Sequence, residues 1–516
     1  MCREGEWNRF KPFLPLFLLL VLLVPIAVSC DDQEGTSTEG TPAATEADLL
    51  VDPVKVDGGY IAGTVVGEPG KEVRVYRGVP YAAPPVGDLR WKPPQPVEPW
   101  SGIREATVFG NKCAQEQAGW VGGNASEDCL YLNVFTPARK ASERLPVMVW
   151  IHGGAFTSGS ANSLPYVWPS LPQHGVVMVG INHRLGPIGM LALPELSQES
   201  SNRASGNYMF LDLIAGLKWV KGNIAAFGGD PDNVTIFGES GGSAKTDALM
   251  ASPLARGLFQ RAILESGANS GGSGARGVLS LQEAEALGEQ LVAKLGIPEN
   301  GDVLATLRAT PYEQILQAGA ALSQELEQKG VGALNSVVVD GWFMPDTPTN
   351  VFKAGRQNSV PLITCANQGE LAEEPLGHGL TAYLSRLTAV SKSGNNAYAA
   401  LFSQVPSIWK QEGVLAFHGL ELPYVFGMLA VLPNSIFYET FAHPSGAQSQ
   451  DPGLTEDDQQ VSEAMMTMWA QFAKAGDPSV EGLIDWPTWD PAGDHYLDIA
   501  WPLEVKSGYS KIVPEE

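Results

Sequence analysis

The chain has 516 residues, 44% of them hydrophobic and 17% charged, which is the balance of a globular protein and not of a disordered one. Its 33 Lys and Arg stand against 57 Asp and Glu, for a net charge of −24. No basic block interrupts that acidic background, so nucleic acid is excluded as a partner, because binding a phosphate backbone is driven by counterions that Lys and Arg release. At roughly 150 residues per domain the length allows about three domains, or one large α/β domain.

The first residues carry an export pattern. Arg3, Arg9 and Lys11 precede an uncharged stretch over 12–30 with the apolar run 13–28 inside it. A bilayer-spanning helix needs about 20 apolar residues, and Pro15 and Pro25 weaken that alternative. The end of the stretch, Ile26-Ala27-Val28-Ser29-Cys30, resembles a bacterial lipoprotein signal, in which cleavage leaves a cysteine that carries lipid. Ala27 departs from the larger aliphatic residue usual at that place. The expectation is a signal over 1–29, lipid on Cys30 and a cell-surface or periplasmic location, with plain secretion or a retained segment as the alternatives. Residues 31–48 hold six acidic residues, no basic one and no aromatic. Such a segment cannot bury enough apolar surface to offset its ordering entropy, so 30–50 reads as a flexible acidic linker and 51–516 as the globular domain.

Cys113 and Cys129 follow, 16 positions apart in a Gly-rich polar stretch. Export permits a disulfide there, which in the chain-entropy model contributes about 3 kcal/mol. The first apolar run, 147–151, leads into His152-Gly153-Gly154-Ala155-Phe156, where successive glycines let backbone N–H groups approach a substrate oxygen. His152 is better placed to orient this loop than to act as a base. The runs 176–181, 234–237, 262–264 and 362–364 have the same nearly continuous apolar character, which suits strands buried on both faces. Helical periodicity marks 211–223, 279–295 and 312–328. Strand–helix alternation predicts an α/β fold, a central, mostly parallel twisted sheet flanked by helices, with ligands at the carboxyl ends of strands.

The chemistry concentrates after the run 234–237, in Gly238-Glu239-Ser240-Gly241-Gly242. Gly-x-Ser-x-Gly directly after a strand marks a sharp strand-to-helix turn that exposes the serine hydroxyl near a helix N-terminus, as in α/β-hydrolases. Ser240 is therefore the candidate nucleophile, with the N–H groups of Gly153, Gly154 and Gly241 as its oxyanion donors. The run Gly272-Ser273-Gly274-Ala275-Arg276-Gly277 fits a dinucleotide fingerprint only formally, since Glu265 to Gly271 separate it from the preceding strand. Asn124-Ala125-Ser126 and Asn233-Val234-Thr235 are glycosylation sequons that matter little behind a bacterial signal. Cys365 reads as a buried strand thiol, and no Cys-x-x-Cys or His-Glu-x-x-His supports a metal site.

The acid and base are narrowed by chain order. Nucleophile, acid, then histidine leaves His378, His418, His443 and His495 of the seven histidines. Glu370 follows the run 362–364, with Asp340, Glu373 and Glu374 as competitors. Local physics favours His418 over His443 only modestly.

The chain resembles the carboxylesterase type-B family, which includes cholinesterases and bacterial para-nitrobenzyl esterases. The resemblance runs from about Val54 to Ile499. It is carried by Arg77-Gly78-Val79-Pro80-Tyr81-Ala82-Ala83-Pro84-Pro85-Val86-Gly87, Ser126-Glu127-Asp128-Cys129-Leu130-Tyr131-Leu132-Asn133-Val134 and Asn182-His183-Arg184-Leu185-Gly186-Pro187. Ala226-Phe227-Gly228-Gly229-Asp230-Pro231 and Glu421-Leu422-Pro423-Tyr424-Val425-Phe426-Gly427 continue it. The resemblance implies an α/β-hydrolase fold and a serine carboxylesterase acting on small-molecule esters through an acyl-enzyme, with no metal or cofactor. It assigns Ser240 as nucleophile, Glu370 as acid and His418 as base, and Gly153, Gly154 and Gly241 to the oxyanion hole. It also pairs Cys113 with Cys129 and Arg90 with Glu127. The rival expectation is a catalytically silent, surface-tethered binding or adhesion protein on the same fold.

Three departures bear on function. Gly241 stands where the family usually has Ala, which leaves the N–H in place and suggests a looser turn. The interval from Glu370 to His418 is only 48 positions, which suggests a shallower site open to bulky esters. Trp120 lies near, but out of register with, a cation-binding Trp of cholinesterases, and ordinary loop packing is the expected role.

Overall fold

The structure, a computed structural model, describes residues 49–116, 121–268, 278–298, 300–329, 334–371 and 377–512. Cys2, Cys30, the linker to residue 48, Trp120, the run Gly272 to Gly277, Glu373, Glu374 and the side chain of His378 lie outside what is described.

Five continuous apolar runs predict strands buried on both faces, and all five form strands of one eleven-stranded sheet. In chain order these are β1 (Thr64–Val66), β2 (Val73–Pro80), β3 (Tyr131–Thr136), β4 (Leu145–Ile151), β5 (Val177–Ile181) and β6 (Gly229–Glu239). They continue as β7 (Arg261–Glu265), β8 (Leu362–Asn367), β9 (Ala397–Phe402), β10 (His495–Ile499) and β11 (Glu504–Ser507). The order across the sheet is β11-β10-β9-β8-β7-β6-β4-β5-β3-β2-β1. The pairs from β10 through to β5 are parallel. Antiparallel strands close both edges.

Alternate residues of each central strand enter different cores, which is the two-residue period of a strand made visible. Val147, Val149 and Ile151 of β4, with Val234 and Ile236 of β6, pack in one core. Met148, Trp150 and Phe237 pack in the other. Helices α1 (Tyr208–Asn223) and α2 (Gly241–Ala251) cover the first face through Phe210, Leu213, Leu217, Ala248 and Leu249. The long helix over Glu456–Ala475 covers the second through Val461, Met465, Trp469 and Phe472. The other two expected helices form over Leu281–Lys294 and Tyr312–Gln328.

Register sets the place of the site. Gly238 of β6 lies opposite Ile151 of β4, Glu239 opposite Glu265 of β7, and Glu265 opposite Cys365 of β8. The strands therefore end level, and the loops leaving them converge along one edge of the sheet. Cys365 is buried as a free thiol. Cys113 and Cys129 form the expected disulfide. Beside it Arg90 makes a bidentate pair with Glu127, at 2.6 Å from Nε and 2.5 Å from the other guanidinium nitrogen. The remaining nitrogen of Arg90 donates to the carbonyls of Leu307 and Thr310 at 2.8 and 2.7 Å.

Candidate active site

Ser240 joins β6 to α2 with φ 56° and ψ −122°, a left-handed conformation that a residue with a Cβ rarely adopts. The turn is held on both sides, by the Ser240 N–H donating to the Glu265 carbonyl at 2.9 Å and the Ser240 carbonyl accepting from Ala244 at 3.0 Å. Its flanking glycines are required by close approach. A Cβ at Gly242 would lie 2.0 Å from the Ile151 carbonyl oxygen, and one at Gly238 would lie 2.5 Å from the same atom. Only bare backbone lets α2 start so near the end of β4.

The loop after β4 lies against this turn. Gly154, Ala155 and Phe156 take φ of 91°, 50° and 68°, three left-handed residues in succession. A Cβ placed on Gly153 would fall 3.4 Å from Ser240 Cβ and 2.9 Å from Glu239 Oε2. A Cβ on Gly241 would fall 2.7 Å from the Ala155 nitrogen. The expected looser turn at Gly241 is thus corrected: the missing methyl is filled by the loop backbone, and the contact is tighter. Ala155, whose nitrogen lies against Gly241, was not legible as a neighbour of the turn because an alanine gives no signal beside two glycines.

His418 lies in the turn before the short helix Leu422–Val425. Its Nδ1 is 2.5 Å from Glu370 Oε1, and the other carboxylate oxygen of Glu370 accepts from the Asn367 N–H at 3.1 Å. His418 Nε2 lies 3.1 Å from Oε1 of Glu239, the residue immediately before Ser240. The chain thereby brings Ser240, Glu370 and His418 to one strand edge. Among the described residues, no hydrogen bond joins His418 to Ser240, since Nε2 faces Glu239 instead. Burial alone would push the imidazole down, but Glu239, Glu370 and Glu421 outweigh it and raise His418 to about 10. With 31% of its side chain exposed, His418 is the open member of the group, while Ser240 and Glu370 are buried.

Two further carboxyl groups complete a buried acidic cluster that the sequence did not reveal. Burial raises Glu265 to about 8 against a 2.7 Å hydrogen bond from the Trp469 indole, with Glu239 adding to the rise. Glu421 is raised by burial and by Glu239, Glu370 and Glu265, and it accepts from Asn367 Nδ2 and Ser266 Oγ. A buried amine also belongs to the neighbourhood. Lys245 Nζ donates to the His152 carbonyl at 2.9 Å. The His152 ring stacks on His183 at 4.4 Å, and burial with the nearby Lys245 holds both imidazoles well below their usual range. His152 Nδ1 also lies 3.0 Å from the Gly153 carbonyl oxygen, a placement that suits the expected part of orienting the loop and not that of a base.

The competitors sit elsewhere. Asp340 accepts from the backbone N–H groups of Trp342 and Met344 in a turn of its own. His443 pairs loosely with Glu439 at 3.9 Å, and His495 meets Ser507 at 2.9 Å on the outer strands. Two cavities, of about 270 Å³ beside Trp91 and Trp342 and about 380 Å³ beside Lys71 and Gln173, contain none of the residues around Ser240. Among the described residues no cluster of His, Cys, Asp and Glu could hold a metal, and no helix is long and apolar enough to cross a membrane.

An α/β sheet with a left-handed serine at its central strand end is the architecture of a hydrolase, and the chain belongs to the carboxylesterase family, whose model matches residues 51–374 and 379–512. It is a serine carboxylesterase, a carboxylic ester hydrolase acting on small-molecule esters. It is similar to the para-nitrobenzyl esterase of Bacillus subtilis (strain 168), 34% identical over 474 residues covering 83% of this chain and 91% of that protein. It is likewise similar to the fumonisin B1 esterase of Sphingopyxis macrogoltabida, 32% identical over 546 residues covering 96% and 94%. A solved structure of a PNB esterase matches with a TM-score of 0.75 and 30% identity, over 90% of this chain and 99% of that chain, in keeping with the α/β-hydrolase fold expected.

Proposed function

We propose that Ser240 is the nucleophile of this esterase, His418 its base and Glu370 the group that orients the base. One observation carries the reading: a histidine clamped to Glu370 reaches the residue adjacent to a serine held in a left-handed turn. The sequence of events follows from charge. His418, with Nδ1 kept on Glu370, turns Nε2 from Glu239 to Ser240 and takes the hydroxyl proton. Ser240 Oγ bonds to the ester carbonyl carbon, and the carbonyl oxygen takes up the electron pair as an anion. The N–H groups of Gly153, Gly154 and Ala155 on the loop and of Gly241 at the start of α2 face that charge. The imidazolium then protonates the alcohol oxygen as the C–O bond breaks, and water clears the acyl group by the same steps in reverse roles. The test is titration with an organophosphonate. Stoichiometric mass gain on Ser240 with loss of turnover supports the reading, and full inhibition with Ser240 unmodified ends it.

The short interval between Glu370 and His418 supports an open site for bulky esters. An acyl-length series of kcat/KM tests this, and sharp rejection of everything beyond acetyl ends it. The export pattern supports a mature chain that begins at Cys30, carries lipid there and is tethered through residues 30–50 with the catalytic domain over 51–516. Mass analysis of the mature N-terminus decides it, since an unmodified Cys30 removes the anchor.

A further inference from the structure

Lys245 is fully buried in the second turn of α2, and none of the steps above uses it. A buried amine is costly to desolvate unless it is well partnered, so a chain that keeps one has a use for it or a strong local compensation. Its stem is allowed by what precedes it. Helical side chains lean toward the helix N-terminus, so a residue at 245 covers positions 241 and 242, and both are glycine. The stem therefore reaches back along α2 to the loop after β4. There Nζ donates to the His152 carbonyl at 2.9 Å and lies 5.6 Å from the centre of the Phe156 ring. One amine thus touches both ends of the segment His152 to Phe156, within which Gly153 packs against Glu239 and Ser240 and Ala155 packs against Gly241.

The peptide that Lys245 holds has a second end. The His152 carbonyl and the Gly153 N–H belong to one planar amide, so fixing the oxygen fixes where the hydrogen points. Donation to the carbonyl also polarises that amide and strengthens its N–H as a donor. We infer that Lys245 is a positioning residue for the oxyanion loop, clamping it at His152 and Phe156 so that its N–H groups are set before charge develops on the substrate. The inference rests on Ser240 being the nucleophile.

Other titratable groups around the amine are in states compatible with this role. His152 at the end of β4 and His183 after β5 are held neutral, so neither repels it, and Glu239 at the end of β6 favours its charged form. Arg184, next to His183, is matched by Asp212 at 2.7 Å. Burial lowers the Lys245 ammonium to about 7, so the strength of its donation changes around neutral pH.

The experiment compares the full-length enzyme with its K245M and K245R variants. Methionine keeps the length of the stem without the donor, and burying it removes the desolvation cost of the amine. Expected for K245M is a kcat lower by about tenfold or more with KM within about twofold, because a preorganised donor acts in the transition state. Its melting temperature should be unchanged or higher. A purely structural lysine would give the opposite pattern, lower stability with unchanged kcat, and that result overturns the inference. The wild-type pH profile of kcat should bend near neutrality and that of K245M should not, while K245R should regain part of the rate. If K245M does not fold, K245R decides, since a guanidinium keeps the donor and does not titrate near neutrality: a bend that survives unchanged in K245R overturns the clamp. Organophosphonate titration of every variant separates the two levels: failure to label Ser240 in wild type strikes the nucleophile assignment, whereas normal labelling with unchanged K245M kinetics strikes only Lys245.

Discussion

Two buried ionic clusters in this molecule solve the same problem differently. At Arg90 and Glu127 one guanidinium faces one carboxylate through two parallel hydrogen bonds, and two carbonyls take the remaining nitrogen. Charge and hydrogen-bonding capacity are matched. Around His418 one imidazole faces Glu370 and Glu239, with Glu265 and Glu421 behind them, so carboxyl groups outnumber cations. The mismatch moves protonation: His418, Glu265 and Glu421 are all raised. A matched pair fixes a loop, while a mismatched cluster stores a proton that can be passed on.

The largest effect should come from Ser240→Ala. Turnover should fall by at least about 10⁴-fold, on the scale of triad knockouts, while thermal melting stays where it was. Steady-state hydrolysis of an activated ester measured beside the melting curve checks both halves, and retained turnover removes the mechanism.

Glu127→Ala attacks the matched cluster. It leaves the buried Arg90 charge without its carboxylate, and losing one partner of such a pair costs about 3–5 kcal/mol. The two carbonyls that still bind Arg90 put the expectation near the lower end. Activity per folded molecule, from active-site titration, should not change. A variant as stable as wild type but slower would reverse the contrast between the regions.

Gly241→Ala tests the contact between loop and nucleophile turn. The added methyl meets the Ala155 nitrogen, backbone that cannot simply rotate away. Overpacking of this kind costs about 1–3 kcal/mol, and the displaced donors should also lower kcat. Unchanged kcat would mean that the loop has slack at Ala155.

How much of this the sequence revealed depends on how local each feature is. The central strands were legible because both faces are covered, which leaves runs such as Val147 to Ile151 without polar interruption. The strands next to the edges were not, since Val73–Pro80 carries Arg74 and Arg77 and His495–Ile499 mixes polar with apolar. Ser240 was legible because its turn needs glycine at 238 and 242. His418 was singled out by resemblance, because its approach to Glu239, the residue before Ser240, is made by the strand order and no local pattern encodes it. Glu239 fills the variable position of Gly-x-Ser-x-Gly, and nothing adjacent to Lys245 in the chain marks it as buried. Both owe their character to what packs against them.

The smallest predicted effect discriminates most finely between the clusters. His418 is raised by the carboxylates beside it, so its proton stabilises the fold below its ordinary value near 6.5, and that contribution is lost as pH rises toward about 10. The same proton must leave before His418 can act as base, so kcat/KM should climb with pH toward the alkaline side. Glu239→Gln removes the charge facing Nε2 and keeps the shape. The proton is then held less tightly, and the acid limb of kcat/KM should move to lower pH by about one unit, equivalent to about 1.4 kcal/mol. Relative activity at mildly acidic pH should rise even if the alkaline plateau falls. A limb that stays in place would show that Glu239 does not govern His418, leaving Glu370 as its partner in a pair as matched as that of Arg90 and Glu127.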